Sequence, residues 1–213
     1  MNEAPLTPEE LQSTIQEGEQ VLAKEAALTA KLLIKNRESL VLAESCTGGL
    51  IAASLARTPG ISQALAGSFV VYQPESKVAW LNIPKSALKR APDSVSDEIA
   101  GSMALSALEQ TPHATISAAI TGRLGPSKSK EDRAKDGHAW IALVRRAGKG
   151  TLGHLQEVQL APHLTQLDKM PQTAVENLRR GRQIAAAIHI LRMVRSMLTG
   201  TRRTTRKKKG TGK

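Results

Sequence analysis

The sequence predicts an α/β fold, namely a three-layer α/β/α sandwich around a mixed, mostly parallel sheet. Two observations predict it: short apolar segments alternate with helical ones, and several of the apolar segments end in polar turns. About 40% of the 213 residues are hydrophobic, which is enough for one core. We expect a single domain over residues 7–199, a flexible N-terminus at 1–6 and a disordered basic tail at 200–213.

The first unit of the fold is predicted to run helix, strand, tight turn, helix. Thr7 and Glu10 have the spacing of a capping box, so a long helix begins there and ends shortly before the next apolar segment. That segment, residues 39–43, is typical of a short buried strand. The polar turn 44–49 follows it and opens a helix of small residues at 50–57.

The next part of the chain is predicted to run strand, turn, short helix and longer helix. Residues 67–72 predict a strand, and Pro74 begins a short helix directly after it. Ser96 is a good capping residue with two acidic residues behind it, so we expect a helix from there to about residue 110, before Pro112.

The last third of the chain adds three strands and a closing helix. The apolar segment 114–120 predicts a third strand, and a long polar loop follows at 123–136. Residues 137–144 and 152–160 predict two further strands. Residues 171–198 then predict a long helix that closes the domain.

The net charge of +11 is concentrated at the carboxyl end. Residues 200–213 hold seven of the 30 Lys and Arg and no acid, so the rest of the chain has 23 basic against 19 acidic residues. This end is either a solvated tail or a weak, salt-sensitive contact for nucleic acid through residues 202–209, without sequence specificity. Four aromatic residues are too few for the stacking platforms that bind single strands.

The remaining composition predicts a cytoplasmic protein. Cys46 is the single cysteine, which excludes an intrachain disulfide and favours a reducing compartment. No apolar run approaches the roughly 20 residues of a membrane helix, so no membrane contact is expected. The five histidines are scattered and no paired-cysteine spacing occurs, so we expect neither a metal nor a cofactor.

Three polar turns follow predicted strands, at residues 44–49, 72–77 and 121–126. Ligands of open α/β sheets bind at the carboxyl ends of the strands. If these three strands are parallel and adjacent, the turns therefore converge on one site.

In the first turn, the sequence leaves two interpretations open. Ser45 either acts as a nucleophile or only caps the helix, and Cys46 is either a reactive or a buried thiol. The backbone N–H groups of Thr47, Gly48 and Gly49 either approach an anion at the helix start or only permit close packing.

The other two turns supply groups that can assist a serine. Tyr72 and Lys77 can remove its proton if burial or a nearby cation lowers the pKa of the amine; otherwise they are surface residues. The backbone N–H groups of Thr121 and Gly122 either face a developing oxyanion or belong to an ordinary strand-end turn.

Several ordered motifs resemble the CinA C-terminal domain family, which includes the nicotinamide-nucleotide amidohydrolases, or NMN deamidases. The resemblance covers roughly residues 8–195. The motifs are Ala-Glu-Ser-Cys-Thr-Gly-Gly-Leu at 43–50, Phe-Val-Val-Tyr at 69–72 with Lys77, the segment 94–100, and Ile-Thr-Gly at 120–122 with Gly125-Pro126.

This resemblance implies a metal-independent amidohydrolase that self-associates. The reaction converts the carboxamide of nicotinamide mononucleotide to the acid and releases ammonia. Ser45 would be the nucleophile, and Lys77 and Tyr72 would activate it and shuttle its proton. The substrate-binding and oxyanion residues implied are Thr47, Gly48, Gly49, Thr121, Gly122 and Arg123. With about 38 residues before the first strand, we expect the stand-alone form of the family.

Three loops depart from the family pattern. Gln73-Pro74 stands where the family has an asparagine, the glycines after Pro126 are missing, and Gly137 begins an altered strand start. Arg123 and the lysines of 128–135 suit the substrate phosphate. The arginine that precedes the family's last helix has three candidate replacements, Arg179, Arg180 and Arg182. The alternative is a divergent member that binds a nucleotide or partner without this activity.

Overall fold

The computed structural model describes residues 8–91, 94–127, 129–160 and 172–204. The strands are β1 (Leu40–Glu44), β2 (Leu65–Val70), β3 (Ile116–Gly122), β4 (His138–Ala147) and β5 (Gly150–Gln159). The helices are α1 (Pro8–Asn36), α2 (Leu50–Ala56), α3 (Pro74–Leu81), α4 (Lys85–Arg90), α5 (Asp97–Glu109), α6 (Lys130–Arg133) and α7 (Gln172–Thr204), with a 3-10 helix at Ile61–Gln63.

The strands form one mixed sheet in the order β2–β1–β3–β4–β5. β1 pairs in parallel with both β2 and β3, whereas β3–β4 and β4–β5 are antiparallel. The predicted mixed α/β sheet is therefore confirmed, although its strand pairs divide equally between parallel and antiparallel instead of being mostly parallel. The carboxyl ends of β1, β2 and β3 lie side by side at one edge, and β4 begins at the same edge.

Successive side chains of each strand point to opposite faces of the sheet, so the core has two layers, one on each face. Leu42, Ile120 and Ile141 pack against buried residues of α1, α2 and α7. Ala119 and Ala142, on the opposite face, pack against buried residues of α3, α4 and α5. Helices thus cover both faces of the sheet, as a sandwich of three layers requires.

Two long helices, α1 and α7, are joined by an ion-pair cluster. Glu25 of α1 accepts hydrogen bonds from Arg192 and Arg195 of α7. Burial raises the pKa of Glu25, but the two guanidinium groups lower it by more than burial raises it. The pKa of Glu25 therefore lies below its ordinary value. This cluster holds α7 in a defined position against the rest of the domain.

Two short helices, α4 and α6, were not predicted. Each has six residues or fewer, which is too short for a recognisable apolar period. The helix α7 continues to Thr204, past the predicted start of the tail at residue 200. The predicted flexible N-terminus and residues 205–213 of the tail lie outside the described residues. None of the helices in the described part of the chain is long and apolar enough to cross a membrane.

Candidate active site

The three polar turns converge at the carboxyl edge of the sheet. The backbone N–H of Ser45 donates to the carbonyl of Ile120 on β3, at 3.1 Å. On the other side, Val71 after β2 donates to the carbonyl of Glu44, at 2.8 Å. The first turn therefore lies between the other two, which is the arrangement expected if all three serve one site.

Lys77 reaches Ser45 from α3. Its Nζ donates a hydrogen bond to the Oγ of Ser45 at 3.0 Å. The side chain of Lys77 is 1% exposed, and Ser45 is also buried. Burial lowers the pKa of Lys77 from 10.5 to about 8. A useful fraction of the amine is therefore neutral near pH 8 and able to accept the serine proton.

Glu44, the last residue of β1, is a buried carboxylate that the sequence motifs left without a role. It accepts the hydroxyl of Thr47 at 2.8 Å and the backbone N–H of Gly49 at 3.1 Å. Three further donors complete its shell at 3.0–3.1 Å: the N–H groups of Ile51 and Ala52 and the hydroxyl of Ser68. A carboxylate with this many donors anchors the whole turn to β1 and β2.

Glu44 occupies donors at the start of α2, where the sequence left open whether backbone N–H groups approach an anion or only permit close packing. The hydroxyl of Thr47 and the N–H of Gly49 are both directed to Glu44. The substrate-binding role of Thr47, Gly48 and Gly49 stays a prediction. Gly48 and Gly49 have φ angles of 62° and 95°, a region that favours glycine. The N–H of Gly48 donates to the carbonyl of Ser45 at 3.1 Å, so these glycines close the turn on which Ser45 lies.

Tyr72 is exposed, and its hydroxyl is bonded to α7 rather than to the serine. Its side chain is 51% exposed, and its hydroxyl accepts a hydrogen bond from Arg179 of α7. Arg179 also donates to the carbonyl of Gly125, at 3.0 Å. Among the described residues, no hydrogen bond joins Tyr72 to Ser45 or Lys77, so its part in proton transfer stays a prediction.

The end of β3 lies close to Ser45, but its side chains have structural partners. The hydroxyl of Thr121 donates to the carbonyl of Ser94 at 2.8 Å. A Cβ added at Gly122 would lie 2.6 Å from the Cβ of Ala139, so glycine is needed for β3 and β4 to approach. Arg123 forms an ion pair with Asp132 at 2.7 Å. The oxyanion role of the Thr121 and Gly122 backbone stays a prediction.

The helix α7 contributes to the site in a way that the motifs did not reveal. Gln183 donates to the carbonyl of Cys46 at 3.2 Å, and the buried Arg182 donates to the carbonyl of Leu124 at 2.7 Å. Of the three candidate arginines, Arg179 contacts Tyr72, whereas Arg180 pairs with Glu19 on α1. The sequence predicts this helix, and its three arginines were the only signal there for a role in the site.

The buried thiol of Cys46 is not positioned as a nucleophile. Burial raises the pKa of Cys46 to about 12, so the thiol stays protonated at neutral pH. This agrees with the interpretation of Cys46 as a packing residue. Within the described ranges, no group of three or more His, Cys, Asp or Glu side chains is arranged to hold a metal ion.

Comparisons with known proteins point to one family. Residues 22–179 match the model of the CinA C-terminal domain. A CinA-like protein of Prochlorococcus marinus subsp. pastoris is 36% identical over 134 residues, which are 63% of this chain and 29% of that protein. A competence-damage inducible protein of Symbiobacterium thermophilum is 34% identical over 170 residues, which are 80% of this chain and 37% of that protein. The chain thus spans well under half the length of these curated relatives.

Solved structures show the same fold. The competence/damage inducible protein CihA of Agrobacterium tumefaciens superposes with a TM-score of 0.66 at 24% identity, covering 84% of this chain and 96% of that one. A CinA superfamily protein of Escherichia coli superposes with a TM-score of 0.62 at 24% identity, covering 80% and 89% of the two chains.

Proposed function

Because the chain belongs to the CinA C-terminal domain family, we propose that it hydrolyses the carboxamide of nicotinamide mononucleotide to nicotinate mononucleotide and ammonia. The observation that supports this most directly is the 3.0 Å hydrogen bond between Lys77 and Ser45. A buried amine with a lowered pKa beside a serine hydroxyl is the pairing that nucleophilic attack on an amide needs.

The first chemical step forms an acyl-enzyme. Neutral Lys77 accepts the proton of the Ser45 hydroxyl while Oγ attacks the carboxamide carbon. The carbon–nitrogen bond of the resulting tetrahedral intermediate then breaks, and the lysine proton goes to the leaving nitrogen, which departs as ammonia. The same amine changes role from base to acid, so no second titrating group is required.

The second step returns the enzyme. A water molecule attacks the ester carbonyl, Lys77 accepts its proton, and the ester bond to Ser45 breaks with return of that proton to Oγ. In both steps the oxyanion develops beside the turn that Glu44 anchors. Backbone N–H groups at this edge, including those proposed at Thr121 and Gly122, would stabilise that charge.

An ammonia assay coupled to product identification tests the proposal. Incubation of the protein with nicotinamide mononucleotide is expected to release ammonia and nicotinate mononucleotide in equal amounts. Acid quenching during turnover should trap an ester on Ser45, which mass spectrometry of the peptide containing 43–50 would locate. A folded protein that yields neither product nor ester would contradict the proposal.

A second candidate function is nucleotide binding without hydrolysis. The observation that favours it is the position of Tyr72, whose hydroxyl is bonded to Arg179 rather than to the Ser45–Lys77 pair. Calorimetric binding of nicotinamide mononucleotide without any ammonia release would support this candidate over the hydrolase.

We also expect Arg179→Ala to lower kcat/KM by about tenfold, because Arg179 joins the loop of Tyr72 to the loop of Gly125, and both loops follow strands beside Ser45. The matched control is Arg180→Ala, which removes the neighbouring arginine and its exposed pair with Glu19. Steady-state kinetics on both variants checks this. Equal losses in the two variants would show that α7 acts only through general stability.

A further inference from the structure

A cavity of about 260 Å³ opens at the same edge of the sheet as Ser45. Proton transfer between Lys77 and Ser45 does not involve this cavity. It lies around the start of β4, two strands away from the strand that carries the nucleophile. The lining residues are Val95, Arg123, Lys135, His138, Trp140 and Glu157.

Strand register places the cavity in line with the nucleophile. Trp140 pairs with Thr121 on β3 and with Glu157 on β5. Ser45 follows Glu44, which pairs with Ile120, so Ser45 continues the same row beside Thr121. With neighbouring strands about 4.8 Å apart, the Cα atoms of Ser45 and Trp140 are separated by about 10 Å.

The cavity and the reactive pair also share one face of the sheet. Trp140 packs against the core layer that includes residues of α3 and α5. Lys77 belongs to α3 and approaches Ser45 from that layer. Ser45, Thr121 and Trp140 therefore lie in one row on this face, so a ligand that joins Ser45 to the cavity does not cross the sheet.

The walls of the cavity combine three kinds of chemistry. Arg123, which also pairs with Asp132, and the exposed Lys135 bring positive charge. Glu157, which contacts His138 at 3.2 Å, brings a carboxylate, and the half-buried Trp140 brings an apolar ring. Cations suit a phosphate, a carboxylate accepts sugar hydroxyls, and an indole covers the apolar side of a sugar.

The start of α2 is not available for such an anion. Its N–H groups at Gly49, Ile51 and Ala52 donate to the buried carboxylate of Glu44. A negative group brought there would meet Glu44 instead of free donors. The positive charge of Arg123 and Lys135 offers the alternative at this edge.

We propose that this cavity binds the ribose 5′-phosphate end of a mononucleotide whose carboxamide lies at Ser45. The proposal rests on the proposed function, since that function places the carboxamide at the serine. The separation of about 10 Å along the row lies between Ser45, where the carboxamide is placed, and Trp140, the residue proposed to contact the ribose. Lys135 and Arg123 then hold the phosphate, and Trp140 and Glu157 contact the ribose.

The test compares substrates with and without the phosphate. For Lys135→Ala, the KM for nicotinamide mononucleotide is expected to rise by about five- to tenfold with little change in kcat. The KM for nicotinamide riboside, which lacks the phosphate, should stay at the wild-type value. Lys135→Arg should retain most of the mononucleotide affinity. Lys149→Ala is the control, because this exposed lysine lies in the turn between β4 and β5, at the opposite edge of the sheet.

The outcomes separate this proposal from the proposed function. If the wild type turns over substrate but Lys135→Ala changes the KM of both substrates equally, or of neither, the cavity assignment is wrong. The proposed hydrolase activity is unaffected by that result. Absence of wild-type turnover would overturn the hydrolase. In that case calorimetry of nicotinamide mononucleotide binding to the wild type and to Lys135→Ala tests the cavity assignment. Weaker binding by the variant supports the assignment. Equal binding by the two proteins, or no detectable binding, overturns it.

Discussion

Lys77→Met is expected to lose turnover by about a thousandfold or more and to become more stable than the wild type. Turnover falls because the Ser45 hydroxyl loses the amine that accepts its proton. Stability rises because the folded protein buries an amine whose pKa is about 8, whereas the unfolded chain has the ordinary value of 10.5. Methionine fills a similar volume without a charge.

The sign of this stability change depends on pH. A lowered amine pKa opposes folding below pH 8, and the penalty disappears as the pH rises from 8 to 10.5. At neutral pH the gain for Lys77→Met is therefore about 2–3 kcal/mol in the free energy of unfolding. Urea denaturation at pH 7 and at pH 10 measures it, and we expect a smaller gain at the higher pH.

Ser45→Ala is the matched control for Lys77→Met. It should lose turnover as completely but should not gain stability, because the buried amine remains and has lost its acceptor. If Lys77→Met instead unfolds more easily than the wild type at neutral pH, Lys77 is a charged structural residue, and the catalytic assignment fails.

The same amine sets the pH dependence of the wild-type reaction. Turnover requires neutral Lys77, so kcat/KM should rise with pH up to about 8 and then level off. Steady-state kinetics between pH 6 and pH 9.5 measures this profile. A flat profile across this range would exclude Lys77 as the base.

Glu44→Gln is expected to destabilise the fold by about 2–4 kcal/mol and to abolish most of the turnover. The two carboxylate oxygens of Glu44 together accept five hydrogen bonds from the turn, from α2 and from β2. A glutamine amide can turn only one oxygen toward these donors, and its NH2 group then faces other donors in a buried space. The turn that carries Ser45 should therefore shift.

Urea denaturation and the ammonia assay measure the two effects of Glu44→Gln. Glu109→Gln is the control, because it makes the same chemical change at an exposed position near the end of α5. A loss of less than about 0.5 kcal/mol for Glu44→Gln, the size of an ordinary surface effect, would contradict the anchoring role.

Most elements of the fold can be predicted from local sequence. Capping residues and apolar segments mark where the helices and strands lie, because these signals act over a few residues. Ser96 illustrates this, since its side chain accepts the N–H of Ile99 and the helix α5 begins at Asp97 as expected. The helices α4 and α6 were not predicted, because one or two helical turns are too short to show a period in the apolar residues.

The candidate residues Ser45 and Lys77 could also be selected from the sequence, because they follow strand ends and match ordered motifs. Their roles as nucleophile and base could not be predicted in this way. Whether Lys77 serves as a base depends on its burial and on the hydrogen bond to Ser45, both of which come from packing α3 against the sheet. The residue type alone does not distinguish a buried lysine from an exposed one.

The groups that surround this pair were decided by tertiary structure. Glu44 acquires its hydrogen-bond donors only when α2 and β2 fold around the end of β1. The sequence around Glu44 therefore does not predict these hydrogen bonds. Arg179 and Tyr72 are 107 positions apart and meet because α7 packs across the sheet edge. Contacts of such long range depend on the whole fold, and local periodicity contains no information about them.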